Sequence, residues 1–319
     1  MHKHKYRQRA KKNRWVVTNW KQYNEALVER GSLELWISQD AQSTWYAPKA
    51  TTQGAPRIYS DGAIQTVLTL KNIFHLPLRQ TEGFVSSVFH LTHISLAVPD
   101  FSTLSRRSSI LSVALPKKNR KKTILVVDST GAKVYGEGEW KVHKHGQSKH
   151  RTWRKIHIAI GEDGEIRAVD VTKNDNDDAA VVESILGQEE GRITALVGDG
   201  AYDTLKVYQS CLDKGIARIL VPPRSSAKIL HHGNKSAPAH PRDVNLRIIR
   251  KKGRSRWKEE SGYHVRSTVE ATMFRFKRIF GERLSAREWS RQVTEVRIRV
   301  ALLNRMLYLG MPTTQKVLG

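Results

Sequence analysis

Cysteine is almost missing from this chain: Cys211 stands alone among 319 residues. One thiol excludes an intrachain disulfide and fits a reducing cytosol. Its expected place is the buried side of a helix. Long apolar runs are missing as well. No stretch approaches the roughly 18 residues of a membrane span. The start, MHKHKYRQRAKKNR, is cationic with no apolar core behind it, so it reads as a basic tail rather than a secretory leader. No glycine-rich loop leads into Lys-Ser or Lys-Thr, so no nucleotide cofactor is implied. Acidic residues are scarce: 30 Asp and Glu against 55 Lys and Arg leave a net charge of +25 and a pI near 10.3.

That surplus is the strongest compositional fact. A chain with no membrane segment and this excess of cations suits a polyanion, and nucleic acid is the usual one. The cations run along the whole chain, so several surfaces are expected to meet phosphate. With 39% hydrophobic residues and 8 Trp the chain has the means to fold, and its length suits two domains.

The first third reads as helices between short breaks. NWKQYNEALVERG, Asn19 to Gly31, is a short helix with Asn19 as N-cap and Gly31 as stop. SLELWI reads as a strand. After a loop with Pro48, Gly54 and Pro56, Ser60 caps a helix whose apolar stripe is Ile64, Val67, Leu68 and Phe74. Pro77 ends it. Thr81 to Leu91 is a third helix, with Phe84, Val85, Val88 and Phe89 inward. Phe101 to Leu111 is a fourth, with Arg106 and Arg107 expected outward. This pattern suits a helix-turn-helix region over residues 1–115, with a plain helical bundle as the alternative. PKKNRKK, residues 116–122, is a basic linker.

Residues 123–310 change character. TILVVDST, Thr123 to Thr130, is a continuous apolar run ending in Asp128. A strand apolar on both faces belongs inside a covered sheet. RTWRKIHIAI and EIRAVDVT are joined through Asp163-Gly164, a hairpin turn, and so pair antiparallel. Asp178 to Leu186 is a helix. ITALVGD, Ile193 to Asp199, repeats the first pattern. Asp203 to Gly215 is a helix N-capped by Asp203, and RILVP is a fifth strand. Strands alternating with helices imply an α/β mixed sheet with helices on its faces. Each aspartate alone reads equally as a turn residue. A shorter insertion, at about 225–260, has Leu246, Ile249, Gly253 and Trp257 at helical spacing in its second half. Trp257 suits the core or a stack on an unpaired base. Gln292 to Leu309 is a mostly apolar last helix, read as a contact between two copies; residues 311–319 are a tail.

GYHVRSTVEATMFRFKRIF, Gly262 to Phe280, is expected to be one helix. At 100° per residue, Tyr263, Arg266, Glu270 and Lys277 share one narrow stripe, beside an apolar face of Val265, Val269, Met273, Phe276 and Phe280. Tyr263-x2-Arg266-x3-Glu270-x6-Lys277 resembles the signature helix of the DDE-class insertion-sequence transposases. VVDSTG and GDGAYD resemble their two other blocks, in the same order, and HRTWRKIHIAI is similar to their second strand. The resemblance covers roughly residues 123–310 and, less specifically, the first third.

The resemblance implies an RNase H-like sheet in which the first and fourth strands adjoin, bringing Asp128 and Asp199 together. It implies that Asp128, Asp199 and Glu270 are catalytic and hold two Mg²⁺ ions, with Mn²⁺ as substitute. Three carboxylates without Cys or His favour such hard ions over zinc. It also implies that Tyr263, Arg266 and Lys277 grip phosphates of the element's ends. Arg106, Arg107 and Trp257 are further candidates for DNA contact. The expected partner is double-stranded DNA, both terminal inverted repeats and target, bound by a homodimer in the cytoplasm of a prokaryote, on the nucleoid. The expected reaction is hydrolysis to a 3′-OH, then transesterification into target DNA. A nuclease without strand transfer, or a repressor with a vestigial site, stays open. His143, His145 and His150 read as phosphate-facing or solvated rather than zinc ligands; His231, His232 and His240 lack ligand spacing. Asp175, Asp177 and Asp178 lack the glycine and terminal glutamate of a calcium loop and read as helix caps.

Overall fold

The computed structural model describes residues 14–37, 42–49, 56–134, 153–231 and 239–317. The basic start, the histidines at 143, 145 and 150, and His232 lie outside them.

In chain order the elements are β1 (Arg14–Val17), α1 (Trp20–Glu29), α2 (Leu33–Trp36), α3 (Asp61–Ile73), α4 (Leu78–Leu91), α5 (Phe101–Ser108), β2 (Lys122–Val134), β3 (Trp153–Ile160), β4 (Ile166–Lys173), α6 (Val182–Gly187), β5 (Arg192–Val197), α7 (Leu205–Asp213), β6 (Arg218–Leu220), α8 (Pro241–Lys252), α9 (Arg254–Ser261), α10 (Ser267–Phe280), β7 (Arg283–Leu284), α11 (Trp289–Leu309) and β8 (Thr314–Val317). Short 3₁₀ turns precede α6 (Asp178–Val181), follow β5 (Gly200–Tyr202) and precede α10 (Tyr263–Arg266).

The main sheet runs β4-β3-β2-β5-β6, with β7 joined to the end of β2. β3 is antiparallel to β2 and β4, while β5 and β6 run parallel to β2 and to each other. This mixed sheet between helices is the RNase H-like arrangement. The sequence dictates its layering. Alternate residues of β2 enter opposite cores: Leu125 and Val127 join α6 and α7 on one face, and Val126 joins α10 and α11 on the other. A strand buried twice needs a side chain of low polarity at every position, which is why the run is continuous.

α11 is the central strut of the second layer. It packs against α3, α5, β4 and α10, and Val296, Ile298, Val300, Leu302 and Leu303 are buried. Its apolar character is therefore spent inside its own chain, which corrects the reading of this helix as a contact between copies. Asn304 on α11 accepts from the Ile166 amide and donates to the Ile166 and Pro116 carbonyls, fixing β4 on the strut. The first-third helices share this apolar core, and β1 pairs antiparallel with β8, joining residues 14–17 to 314–317.

Two local expectations are corrected, and the helical spacing expected in the second half of the insertion is borne out. SLELWI forms the single-turn α2, not a strand, because Leu33, Trp36 and Ile37 face one core at helical spacing, and the Trp36 indole donates to the Arg30 carbonyl. The insertion is helical from Pro241, as α8 and α9, divided at Gly253, whose φ of 85° suits only glycine. Gly262 to Phe280 is not one helix: Gly262, at φ 72°, starts a 3₁₀ turn, and the α-helix begins at Ser267.

Candidate active site

The site begins on two adjacent strands: β2 runs on to Val134 rather than ending at its aspartate, so Asp128 lies midway along it, while Asp199 lies just past the end of β5. Val126 of β2 is paired in register with Val197 of β5. Asp128 stands two residues further along β2, and Asp199 two residues past Val197, just beyond the end of β5, so the parallel pair carries both to the same part of the sheet, where each contacts Arg266. Asp128 Oδ1 accepts from the Ser129 amide at 2.8 Å. Asp199 Oδ1 accepts from the Ala201 amide at 2.8 Å and so caps the Gly200–Tyr202 turn. Its other oxygen points toward Arg266.

α10 brings the third carboxylate. Val269, Thr272, Met273, Phe276 and Phe280 are its buried stripe, so Glu270, one residue past Val269, lies on the rim. Arg266 joins all three. Its Nη1 lies 2.5 Å from Glu270 Oε1, and its Nη2 lies 3.5 Å from Asp128 Oδ2 and 4.0 Å from Asp199 Oδ2. The middle of one strand, the residue just past the end of its neighbour and a helix thus converge on one guanidinium. Among the described residues no three His, Cys, Asp or Glu side chains are drawn together closely enough to hold a metal ion; the three carboxylates here each contact the Arg266 guanidinium. The donors are all carboxylate oxygens already gathered around a positive charge, which fits a hard divalent cation.

Burial raises the Asp128 carboxyl above the usual carboxylate range. The Ser129 amide and Arg266 oppose the shift, and Asp199 and Glu270 reinforce it. Burial works against the charge on Arg266, but Tyr263 and the three carboxylates outweigh it and hold the guanidinium up. The sign for Asp128 is the reverse of a paired surface aspartate. A group whose folded value is raised binds more protons in the native state, so its contribution to stability falls as pH rises from the unfolded value through the folded one. Asp128→Asn, measured by calorimetry in chelator, should therefore gain stability relative to the parent as pH rises across the carboxylate range. A constant difference would show that burial does not govern this carboxyl.

Tyr263 stands elsewhere than expected. The 3₁₀ turn rotates it off the Glu270 stripe into the core, where it is 7% exposed and its ring centroid lies 5.2 Å from that of Trp257. Its hydroxyl donates to the Gly198 carbonyl at 3.2 Å, immediately before Asp199. A Cβ at Gly198 would come within 2.9 Å of the Tyr202 ring and 3.1 Å of Val127, so this strand end is held on both sides. Sequence spacing alone could not reveal the clamp, since it spans 65 residues.

Lys277 remains on the Glu270 side of α10, about 10.5 Å along the axis, with Nζ 4.0 Å from Glu282. Trp257 is core: it is 1% exposed and its indole donates to Asn245 Oδ1, so it has no free face for a base. Arg106 and Arg107 separate. Arg107 is buried, donates to the Tyr59 carbonyl and pairs with Asp61, which removes it from any DNA surface. Arg106 is exposed and lines a cleft of about 1030 Å³ between α4, α5 and α11, together with Arg79, Arg287 and Arg291. The one acidic residue lining that cleft, Glu295, is occupied by Arg299 and the Ser285 and Ala286 amides.

A mixed sheet with one aspartate midway along its central strand and another just past the neighbouring parallel strand, and a helix delivering a glutamate to them, defines an α/β protein of RNase H-like fold with a carboxylate site. Two family models, each described as "Transposase DDE domain", match this chain over residues 28–137 and 119–305. The second spans more than half of it and includes all three carboxylates, so the chain belongs to the DDE-domain transposase family. A solved structure titled "Drosophila P element transposase strand transfer complex" is similar at 15% identity and a TM-score of 0.29, covering 90% of this chain and 71% of that one. Among the described residues no helix is long and apolar enough to cross a membrane.

Proposed function

We propose that this chain is the DNA transposase of an insertion sequence, which binds terminal inverted repeats, cleaves at the element ends to leave a 3′-OH and joins that end to target DNA. The observation that carries the reading is the gathering of Asp128, Asp199 and Glu270, from three separate elements, around Arg266 inside the family-matched segment. The family typically uses divalent metal ions. Asp128, Asp199 and Glu270 would hold such ions, which when bound neutralise charge on the attacking and leaving oxygens of phosphodiester transfer.

The chain's own residues do the rest. Asp128 sits midway along β2, paired with Ile158 of β3 and two residues past the last pair with β5, so the sheet fixes its backbone. The Tyr263 hydroxyl holds Asp199 through Gly198. Glu270, on the rim of α10, faces the side from which DNA approaches. Arg266 and Lys277 take phosphates of the cleaved end, and Arg106, with its neighbours in the α4–α5–α11 cleft, takes backbone further along the duplex. Double-stranded DNA is the partner on this reading, and Mg²⁺ the ion, with Mn²⁺ as substitute. The deciding experiment incubates the full chain with a duplex carrying its element's own ends, target plasmid and Mg²⁺. Cleaved 3′ ends joined to plasmid support transposition, cleavage without joining points to a nuclease, and tight binding without cleavage points to a repressor.

DNA affinity should fall steeply with salt. Each phosphate neutralised contributes about −0.9 to the slope of log K against log salt. Arg106→Ala should make that slope shallower by about one such step, and Arg107→Ala should leave it unchanged in folded protein. Equal slopes for the parent and Arg106→Ala would remove the cleft from the DNA path.

A further inference from the structure

Arg266 touches all three acidic groups of the site at once. The contacts at 2.5, 3.5 and 4.0 Å use its two terminal nitrogens, and they tie α10 to the middle of β2 and to the residue just past β5. A guanidinium has donors only and cannot ligate a metal. Its positive charge repels any divalent ion brought within a few ångström, strongly where solvent is partly excluded. The same three carboxylates therefore cannot serve Arg266 at these distances and hold a pair of doubly charged ions together.

We propose that the Arg266 guanidinium competes with divalent cations for the Asp128, Asp199 and Glu270 carboxylates, so that loading the site requires this side chain to swing away. The inference rests on the assignment of these carboxylates as the ion-holding groups. The arginine is suited to leave. It sits at the junction of the 3₁₀ turn and α10, its side chain is 24% exposed, and among the described residues its buried Nε has no hydrogen-bond partner, so no such bond has to break for the fork to move. Glu270, its shortest contact, is 56% exposed on the helix rim, so the pair can open toward solvent. Before ions load, the guanidinium offsets part of a triple negative charge. Afterwards, it is free to meet the phosphate that the previous section assigns to it. One side chain thus links ion loading to DNA engagement.

The test titrates Mn²⁺ into the full chain and follows it by electron paramagnetic resonance. Asp128→Asn should lose the tight Mn²⁺ signal. Arg266→Gln should bind Mn²⁺ roughly tenfold tighter than the parent, since a repelling charge a few ångström from the ion has gone. Equal or weaker binding in Arg266→Gln, with the signal still lost in Asp128→Asn, would overturn the competition and leave the carboxylate assignment standing. Parent-like binding in Asp128→Asn would remove that assignment, and the proposal with it. A second measurement needs no variant. In the parent protein, phenylglyoxal modification followed by peptide mass spectrometry should show Arg266 severalfold more reactive with Mg²⁺ than with chelator. Unchanged or reduced reactivity would mean that the arginine stays in place, and the proposal would fail.

Discussion

Replacing Glu270 by glutamine is expected to lower Mg²⁺-dependent cleavage of end-bearing DNA by orders of magnitude and to leave both the fold and the DNA affinity in place. The substitution keeps the size and helix propensity of the side chain and removes only its charge. Glu270 is more than half exposed, and its partner Arg266 is one helical turn away. An exposed pair of that kind is worth at most about 1 kcal/mol, equivalent to less than a tenfold rate change. A loss of several decades could not arise from weakened folding and would have to come from the chemistry, where fixed charge is usually the largest contribution. Affinity should persist or rise, because a negative charge beside phosphate has gone. Gel-shift and cleavage on one duplex measure both quantities. Glu183→Gln, an exposed carboxylate on α6 on the other face of the sheet, is the control and should change neither. Cleavage by Glu270→Gln at the parent rate would end the catalytic assignment of this helix.

What could be read from the sequence follows the range over which each signal acts. The strands β2 and β5 announced themselves because burial on both faces demands uninterrupted apolar residues, and the aspartates that close the two apolar runs stood out against that background, although β2 itself continues past Asp128 to Val134. The apolar stripe of α10 was equally plain, since Val269, Met273, Phe276 and Phe280 recur at one helical period. Features decided by distant partners were not plain. Arg106 and Arg107 are neighbours in sequence but about 100° apart on a helix, and only Asp61, 46 residues away, decides which one turns inward. The hydroxyl of Tyr263 finds Gly198 only after the sheet has formed. SLELWI satisfies strand alternation and helical spacing alike over so few residues, and the core chose the helix. Asp177 does cap the turn before α6, as its position suggested, while Asp178 beside it pairs with Lys155 and accepts from Ser129.

Asp203 is the sharpest case of a local reading replaced by a distant one, and it carries the largest expected loss of stability. Its place before α7 suggested an N-cap, but Thr204 is the cap, accepting from the Val207 amide. The Asp203 carboxylate is fully buried and instead receives Arg242 Nε at 2.8 Å and Nη2 at 3.1 Å, with the Arg224 amide at 3.1 Å. This two-pronged pair staples the start of α8 to the end of the sheet. α8 in turn carries Asn245, which donates to the Ile219 carbonyl and accepts from Trp257, and Trp257 packs on Tyr263, the residue that holds Asp199. Among the described residues Asp203→Ala leaves the guanidinium of Arg242 hydrogen-bonded to the Lys228 carbonyl alone, and it strands the Arg224 amide. Removing one partner of a buried pair typically costs about 3–5 kcal/mol. Denaturant unfolding should show a loss of that size, and limited proteolysis should open first around residues 224–242. Adding Arg242→Met should restore a large part of it, because an apolar side chain there no longer leaves an unpaired charge. A loss below about 1 kcal/mol in Asp203→Ala, or no recovery in the double variant, would show that the staple does not hold this segment to the sheet.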